Sequence, residues 1–286
     1  MSRIVYINGA FVPYEEAKIP IMDRGFLFAD GIYEVSAVLN SRLVDNDAHL
    51  ARLERSLEEI RIPNPHTAEE WTRLEEELVR RNGLVEGVVY MEVTRGVAER
   101  EFAFPADARP TVVMFTQVKN ISRSPAAEAG VAVVTVEDLR WKRRDIKSVA
   151  LLAQVLAKQA AAEAGVAEAW MVEDGHVTEG SSSTAFIITA DGRIVTRPLS
   201  NAVLPGITRR SVMRLAQENG LRIEERLFTV EEAHAAAEAF LTSASSFVMP
   251  VVAIDGRPVG NGRPGALTRR LRRLYLEMAG AAAKAA

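Results

Sequence analysis

Asp145-Ile146-Lys147-Ser148 and, further along, Thr178-Glu179-Gly180-Ser181-Ser182-Ser183 are the stretches whose reading decides this chain. The first puts a lysine at an expected junction between a strand and a long, buried helix. The second puts an acid in a turn, ahead of a glycine and a run of small hydroxyl donors. A lone lysine beside a helix is most often a surface cation, and Glu-Gly-Ser-Ser is a common polar loop. Each gains weight from its company. Gly180 permits a close backbone approach or a positive φ, and the serine hydroxyls can satisfy backbone or phosphate acceptors.

Working outward, Ile4 to Val12 reads as a strand pair turned by Asn8-Gly9. Tyr33 to Leu39 reads as a strand, with Asp47 as the N-cap of the helix after it. There Leu50, Leu53, Leu57 and Ile60 recur at helical spacing. Thr67 with Glu70 and Thr229 with Glu232 are capping boxes. Val88 to Thr94 and Thr111 to Val118 are β-rich. The pattern predicts an α+β chain with a smaller domain over 1–118, a linker over 119–125 and a larger domain over 126–286. Within the latter, a helix is expected from about Val149 to Ala164. Leu267, Leu271, Leu274 and Met278 stripe a last helix whose arginines read as a solvated face, with an Ala-rich end after Gly280.

Two further places suit an anion. Pro205-Gly206-Ile207-Thr208 opens a helix, where backbone N–H groups and the Thr208 hydroxyl converge. Thr242-Ser243-Ala244-Ser245-Ser246 ends a strand in small donors. Arg52, offset from the leucine stripe, is either solvated or a bidentate phosphate partner. No Walker loop and no Gly-x-Gly-x-x-Gly is present.

The net charge is −3, which gives no general attraction to nucleic acid or an anionic membrane. No apolar run approaches the ~20 residues of a membrane helix, and no signal-peptide plan opens the chain. Cysteines are absent, which removes thiolate chemistry and suits a reducing cytoplasm. The four histidines lie scattered without metal-ligand spacing, so no metal is expected.

A lysine, an acid and small polar groups around a phosphate are what pyridoxal 5'-phosphate (PLP) chemistry requires. The chain resembles the fold-type IV PLP-dependent aminotransferases, D-amino acid aminotransferases above all. The likeness runs through Asp23-Arg24-Gly25-Phe26, Asp30-Gly31-Ile32-Tyr33-Glu34, His49-Leu50-Ala51-Arg52-Leu53, Val93-Thr94-Arg95-Gly96 and Asp138-Leu139-Arg140-Trp141. The two opening stretches, Pro205-Gly206-Ile207-Thr208-Arg209 and Thr242-Ser243 complete it. The resemblance implies a two-domain enzyme, commonly a homodimer. Lys147 would hold the cofactor as a Schiff base and shuttle a proton. Glu179 would pair with the pyridine nitrogen. Arg52, Ile207, Thr208, Ser243 and Ala244 would bind the phosphate. Leu204 would pack on the ring and Ser182 would lie near it. Tyr33 would line the substrate pocket. In the family, an arginine and, two residues on, a histidine trap the substrate carboxylate. Here Arg100 matches but Phe102 replaces the histidine, and Glu99 and Glu101 could compete for Arg100.

The activity implied is transfer of an amino group from a D-amino acid to pyruvate or 2-oxoglutarate by a ping-pong scheme, in the cytoplasm. The alternatives on the same fold are an (R)-amine or branched-chain L-amino acid transaminase, which Phe102 would suit, and an aminodeoxychorismate-lyase-like enzyme.

Overall fold

The computed structural model describes residues 2–282. They divide into two compact units, one of residues up to Asn120 with Ile146–Ala150, the other of Ile121–Asp145 with Leu151–Ala281.

The first unit is built on an antiparallel sheet. β1 (Ile4–Ile7) and β2 (Ala10–Pro13) form a hairpin whose turn, Asn8-Gly9, has φ of 45° and 97°. Those positive values are what a type I′ turn demands. α1 (Arg24–Phe28), β3 (Gly31–Leu39), β4 (Arg42–Val44), α2 (Asn46–Glu59), α3 (Ala68–Arg81), β5 (Glu86–Thr94) and β6 (Thr111–Val118) follow. The strand order is β2-β1-β6-β5-β3-β4. One face is covered by Leu50, Leu53 and Leu57 of α2 and by Trp71, Leu78 and Val79 of α3, packed on Ile32, Val38, Val89, Met91 and Val93. Each such side chain contributes roughly 1.5–3 kcal/mol on burial. The face turned away from these helices carries the half-buried Tyr33, Tyr90, Glu92 and Phe115.

Local signals were mostly realised as read. The Thr67–Glu70 box opens α3 with both reciprocal bonds. Asp47 does not cap α2. The N-cap is Asp45, in the left-handed region and without a side-chain cap bond. Asp47 lies inside the first turn, where its charge faces the positive helix end.

The second unit is a mixed sheet with helices. Its elements are α4 (Pro125–Ala129), β7 (Val131–Glu137), α5 (Leu152–Glu163), β8 (Glu168–Glu173), β9 (His176–Gly180), β10 (Thr184–Ile188) and β11 (Ile194–Thr196). Then come α6 (Ile207–Glu218), β12 (Ile223–Glu225), α7 (Val230–Ala235), β13 (Glu238–Ser243), β14 (Phe247–Ile254), β15 (Arg257–Pro258) and α8 (Ala266–Ala282). The order is β12-β11-β10-β13-β14-β7-β8-β9, with β15 on β14. Sheets and helices arranged in this way are α+β.

Three expectations need correction here. The helix expected from Val149 starts at Leu152, because Lys147 and Val149 give their backbone groups to β3 instead. That helix is not a buried one. It buries only Ala157 and Ala161, while Leu152 and Val155 are exposed. The arginines of α8 are not all solvated. Arg272 is buried and donates to the carbonyls of Ile121, Ser122, Ser246 and Val248, which ties down part of the expected linker. The Ala-rich end expected after Gly280 passes outside the described residues beyond Ala282. Among the described residues, no helix is long and apolar enough to cross a membrane.

Candidate active site

Lys147 stands in an extended segment beside β3. Its carbonyl accepts from Tyr33 N–H at 2.9 Å, Val149 N–H donates to Gly31 O at 3.1 Å, and Ser148 bridges Ile32. Ile146, one residue before, is part of the core under the sheet. Backbone pairing thus fixes where the lysine leaves the chain. Its Nζ lies 4.0 Å from the centre of the Tyr33 ring. Tyr33 stacks on Tyr90 at 5.6 Å, and Tyr90 on Phe115 at 4.6 Å. Tyr90 donates its phenolic hydrogen to Glu92 at 2.7 Å.

Arg52 is not solvated, against the simpler reading of its place on α2. It is 7% exposed and donates through Nε and Nη2 to the two oxygens of Glu34, at 2.7 and 2.8 Å. His49 binds the same carboxylate at 2.9 Å. Burial raises the cost of charge on Glu34, but the Arg52 cation prevails and holds it well below the usual carboxylate range. Tyr33 and Glu34 are neighbours in a strand, so they point to opposite faces.

Arg100 and Phe102 lie on the loop after β5. Arg24 Nη1 and Nη2 donate to the carbonyls of Glu101 and Phe102, and its Nε to Asp30. Arg95 pairs with Asp30 too, and its guanidinium lies 3.6 Å from the Phe104 ring centre. Between them these arginines hold the loop at both ends. Among the described residues, no ion pair joins Arg100 to Glu99 or Glu101. Its guanidinium faces the rings of Phe28 and Phe102 instead, at 5.5 and 5.8 Å. Phe102 is 76% exposed and packs on Phe28.

In the second unit Glu179 belongs to β9, not to the turn expected of it, and is buried. Its Oε1 accepts from Arg140 Nη1 at 2.5 Å and from Leu204 N–H at 3.1 Å. Among the described residues, no hydrogen bond falls on Oε2. Burial pushes Glu179 above the usual carboxylate range, and Arg140 and the Leu204 N–H only partly offset this. Arg140 is held in turn by Asp138, through Nε and Nη2. Thr178 also donates to Asp138, at 2.6 Å.

The glycine after Glu179 is needed for close approach. A Cβ there would lie 2.2 Å from Ser183 Oγ. The hydroxyls of Ser181, Ser182 and Ser183 all turn to Glu168, Ser182 at 3.0 Å. They lock the turn after β9 rather than pointing as a group to an outside acceptor.

Ile207 and Thr208 open α6 and are buried. The N-cap is Gly206, with no side-chain cap bond, so the first N–H groups are not taken by a cap. A Cβ on Gly206 would come within 2.7 Å of Thr184 Oγ1, and Thr184 pairs across the sheet with Thr242. Among the described residues, the buried Thr242 Oγ1 has no hydrogen-bond partner. The Ser243 hydroxyl bonds Ser246 at 2.7 Å, and Ala244 has none to offer. The α6 start and the end of β13 thus belong to one neighbourhood.

The residues that hold the candidates were not assigned roles from sequence. Glu34, His49, Asp138 and Arg140 stand inside the quoted motifs, and the Asp138-x-Arg140 spacing was the one local hint of a carboxylate–arginine pair. Glu168 and Glu92 carried no signal.

With this geometry in hand, comparison with known proteins places the chain. The model for "Amino-transferase class IV" matches residues 31–254, and the chain belongs to that family. It is an aminotransferase of fold type IV, and the cofactor of the family is PLP. Among individual relatives, it is 42% identical to the D-alanine aminotransferase of Staphylococcus aureus strain MSSA476 over 269 residues, 93% of this chain and 94% of that protein. It is 40% identical to the D-alanine aminotransferase of Bacillus licheniformis, over the same shares. Among solved structures, the branched-chain aminotransferase of the thermophilic archaeon Thermoproteus uzoniensis, solved with norvaline, superposes with a TM-score of 0.88 at 26% identity, covering 98% of this chain and 96% of that one.

Proposed function

We propose that the chain transfers the amino group of a D-amino acid such as D-alanine to an α-keto acid, by a ping-pong scheme. The observation that carries the chemistry is the Lys147 amine over Tyr33, on the sheet face turned away from the helices. The likeness to D-alanine aminotransferases supports the choice of donor.

The residues fit the cofactor. Thr242 offers a buried hydroxyl without a partner beside a glycine-lined helix start, and Glu179 offers a buried acceptor with one unclaimed oxygen. When bound, PLP supplies an aldehyde carbon for the amino group and a ring that takes up the electrons of the substrate α-carbon. Lys147 would hold the cofactor covalently, then move a proton from the substrate α-carbon through Nζ. Glu179 would hold a proton at the ring nitrogen, and its raised pKa suits sharing one. Ile207 and Thr208 N–H groups, Ser243, the Ala244 backbone and Arg52, aimed by Glu34, would bind the phosphate. Leu204 would pack against the ring, with Ser182 near it. Arg100 would take the substrate carboxylate in a bidentate grip, with Tyr33 and Phe102 around the side chain.

Phe102 favours a second reading on the same fold, an (R)-amine or branched-chain L-amino acid transaminase, since it adds apolar surface where a polar partner would stand. The exposed Ile21, Phe26 and Phe102 support a homodimer, and the lack of cysteines supports a cytoplasmic site. Light scattering of the holoenzyme tests the first of these. Spectral change of the bound cofactor on adding D-alanine, L-leucine or (R)-1-phenylethylamine tests the donor. Reaction with L-leucine and not with D-alanine would overturn the main reading. Lys147→Ala should lose both the absorbance of lysine-bound cofactor and turnover, and turnover kept in that variant would remove Lys147 from its role.

A further inference from the structure

We propose that Glu168 is a positioning residue of the reaction: by gathering the three serines after β9 onto one carboxylate, it pins the bulged strand end that aims Glu179. The proposal rests on the role given to Glu179 above.

Glu179 does not sit in a regular ladder. In the β8–β9 pairing His176 faces Glu173, Val177 faces Val172 and Gly180 faces Trp170. Thr178 and Glu179 are thus left opposite Met171 alone, two residues against one, which is a β-bulge. Thr178 marks the place, donating its hydroxyl to Met171 O at 3.0 Å. A bulge re-aims the side chain it carries, and it is only as fixed as the pairs on either side of it. On the His176 side two pairs hold it. On the other side the ladder ends at once, with Gly180 against Trp170 and the Ser181 N–H on Ala169 O at 2.9 Å.

Glu168 supplies what that short side lacks. It opens β8 and is buried. Its Oε1 accepts from Ala169 N–H at 2.8 Å and from the Ser181 hydroxyl, and its Oε2 accepts from the Ser182 and Ser183 hydroxyls at 3.0 and 3.2 Å. Lys158 lies 3.6 Å from Oε1. A carboxylate acceptor makes the stronger kind of hydrogen bond. The turn also closes on itself, Gly180 N–H donating to Ser183 O at 2.7 Å. A Cβ on Gly180 would lie 3.4 Å from Glu168 Cγ, so the clamp packs directly against the residue that follows Glu179. Arg140 and the Leu204 N–H hold the Glu179 carboxylate itself. Glu168 holds the backbone from which that side chain leaves.

The test follows cofactor release from holoenzyme, read as loss of the protein-bound cofactor absorbance, in a double-mutant cycle. Glu179→Gln should speed release about tenfold, equivalent to about 1.4 kcal/mol and within what a hydrogen bond to a charged group contributes. Glu168→Ala should do likewise, with kcat for D-alanine lowered about tenfold and KM changed by less than about twofold. In the Glu179→Gln background Glu168→Ala should add less than about twofold, because the side chain it aims is already altered. Ser181→Ala with Ser183→Ala leaves Glu168 its contacts with Ala169, Ser182 and Lys158, and should speed release about threefold alone and not at all in the Glu179→Gln background. Effects that are equal in the two backgrounds, or clamp variants that release cofactor as wild type does, overturn the role of Glu168 and leave the aminotransferase reading intact. A Glu179→Gln protein with wild-type release and turnover overturns the role of Glu179 and this proposal with it.

Discussion

Replacing Glu75 by glutamine should stabilise the protein at pH 8.5 and do much less at pH 5. Glu75 is on the inner side of α3, 0% exposed, and among the described residues neither carboxyl oxygen has a hydrogen-bond partner. The adjacent Ser36 and Asn46 bond each other instead, at 3.2 Å. Burial, with the charge of Glu34 added, pushes this carboxyl from 4.5 to about 7. The folded pKa is raised, so the stability contributed by the neutral acid is whole below about pH 4.5 and is lost as pH rises through about 7. The gap of 7 − 4.5 corresponds to roughly 3 kcal/mol once the pH is well above 7. At pH 5 only about 1 kcal/mol of that has appeared. Glutamine stays neutral throughout. Between pH 5 and pH 8.5 the variant should therefore gain about 2 kcal/mol on the wild type, roughly 4–6 °C in Tm for a chain of this size. Thermal unfolding of the two holoenzymes at both pH values measures it. A Tm difference that is the same at both, or that turns against the variant at pH 8.5, refutes the claim that a poorly solvated carboxyl titrates here.

Arg140→Met leaves Asp138 and Glu179 buried with no arginine between them. It should cost about 3–5 kcal/mol of stability and at least about tenfold in kcat, with partial recovery in Arg140→Lys; wild-type Tm and kcat in the methionine variant would dismiss Arg140 as the holder of Glu179. Gly96 has φ of 99°, and a Cβ there would lie 1.8 Å from Arg109 O, so Gly96→Ala must displace the strand end that carries the Arg100 loop. A loss of more than about 2 kcal/mol is expected, read as Tm, along with a raised KM for D-alanine. Arg100→Lys gives up the planar fork; KM for D-alanine should rise about tenfold or more and kcat should fall less, and an unchanged KM would mean that another group takes the carboxylate.

How much of this was legible in the sequence depends on the range of the interaction. The Asn8-Gly9 turn and both capping boxes are settled by residues within four positions of each other, and they formed as read. Lys147 and Glu179 are the residues the sequence offers for the chemistry, yet their settings are not legible in it. Lys147 is held extended by backbone bonds to Gly31 and Tyr33, more than a hundred positions away, and that pairing delays the helix that follows. Arg52 reads as solvated because its helix shows only that it leaves the leucine stripe; the acid that buries it comes from β3. Periodicity does say that Tyr33 and Glu34 face opposite ways. It does not say which strand lies beside β3, nor in what register. The β3–β5 ladder sets Tyr33 against Glu92. A slip of one residue would put Met91 there and turn Glu92 into the core. That Glu92 shares a face with Tyr33 is thus a property of the pairing, and no composition or spacing along the chain could have announced it.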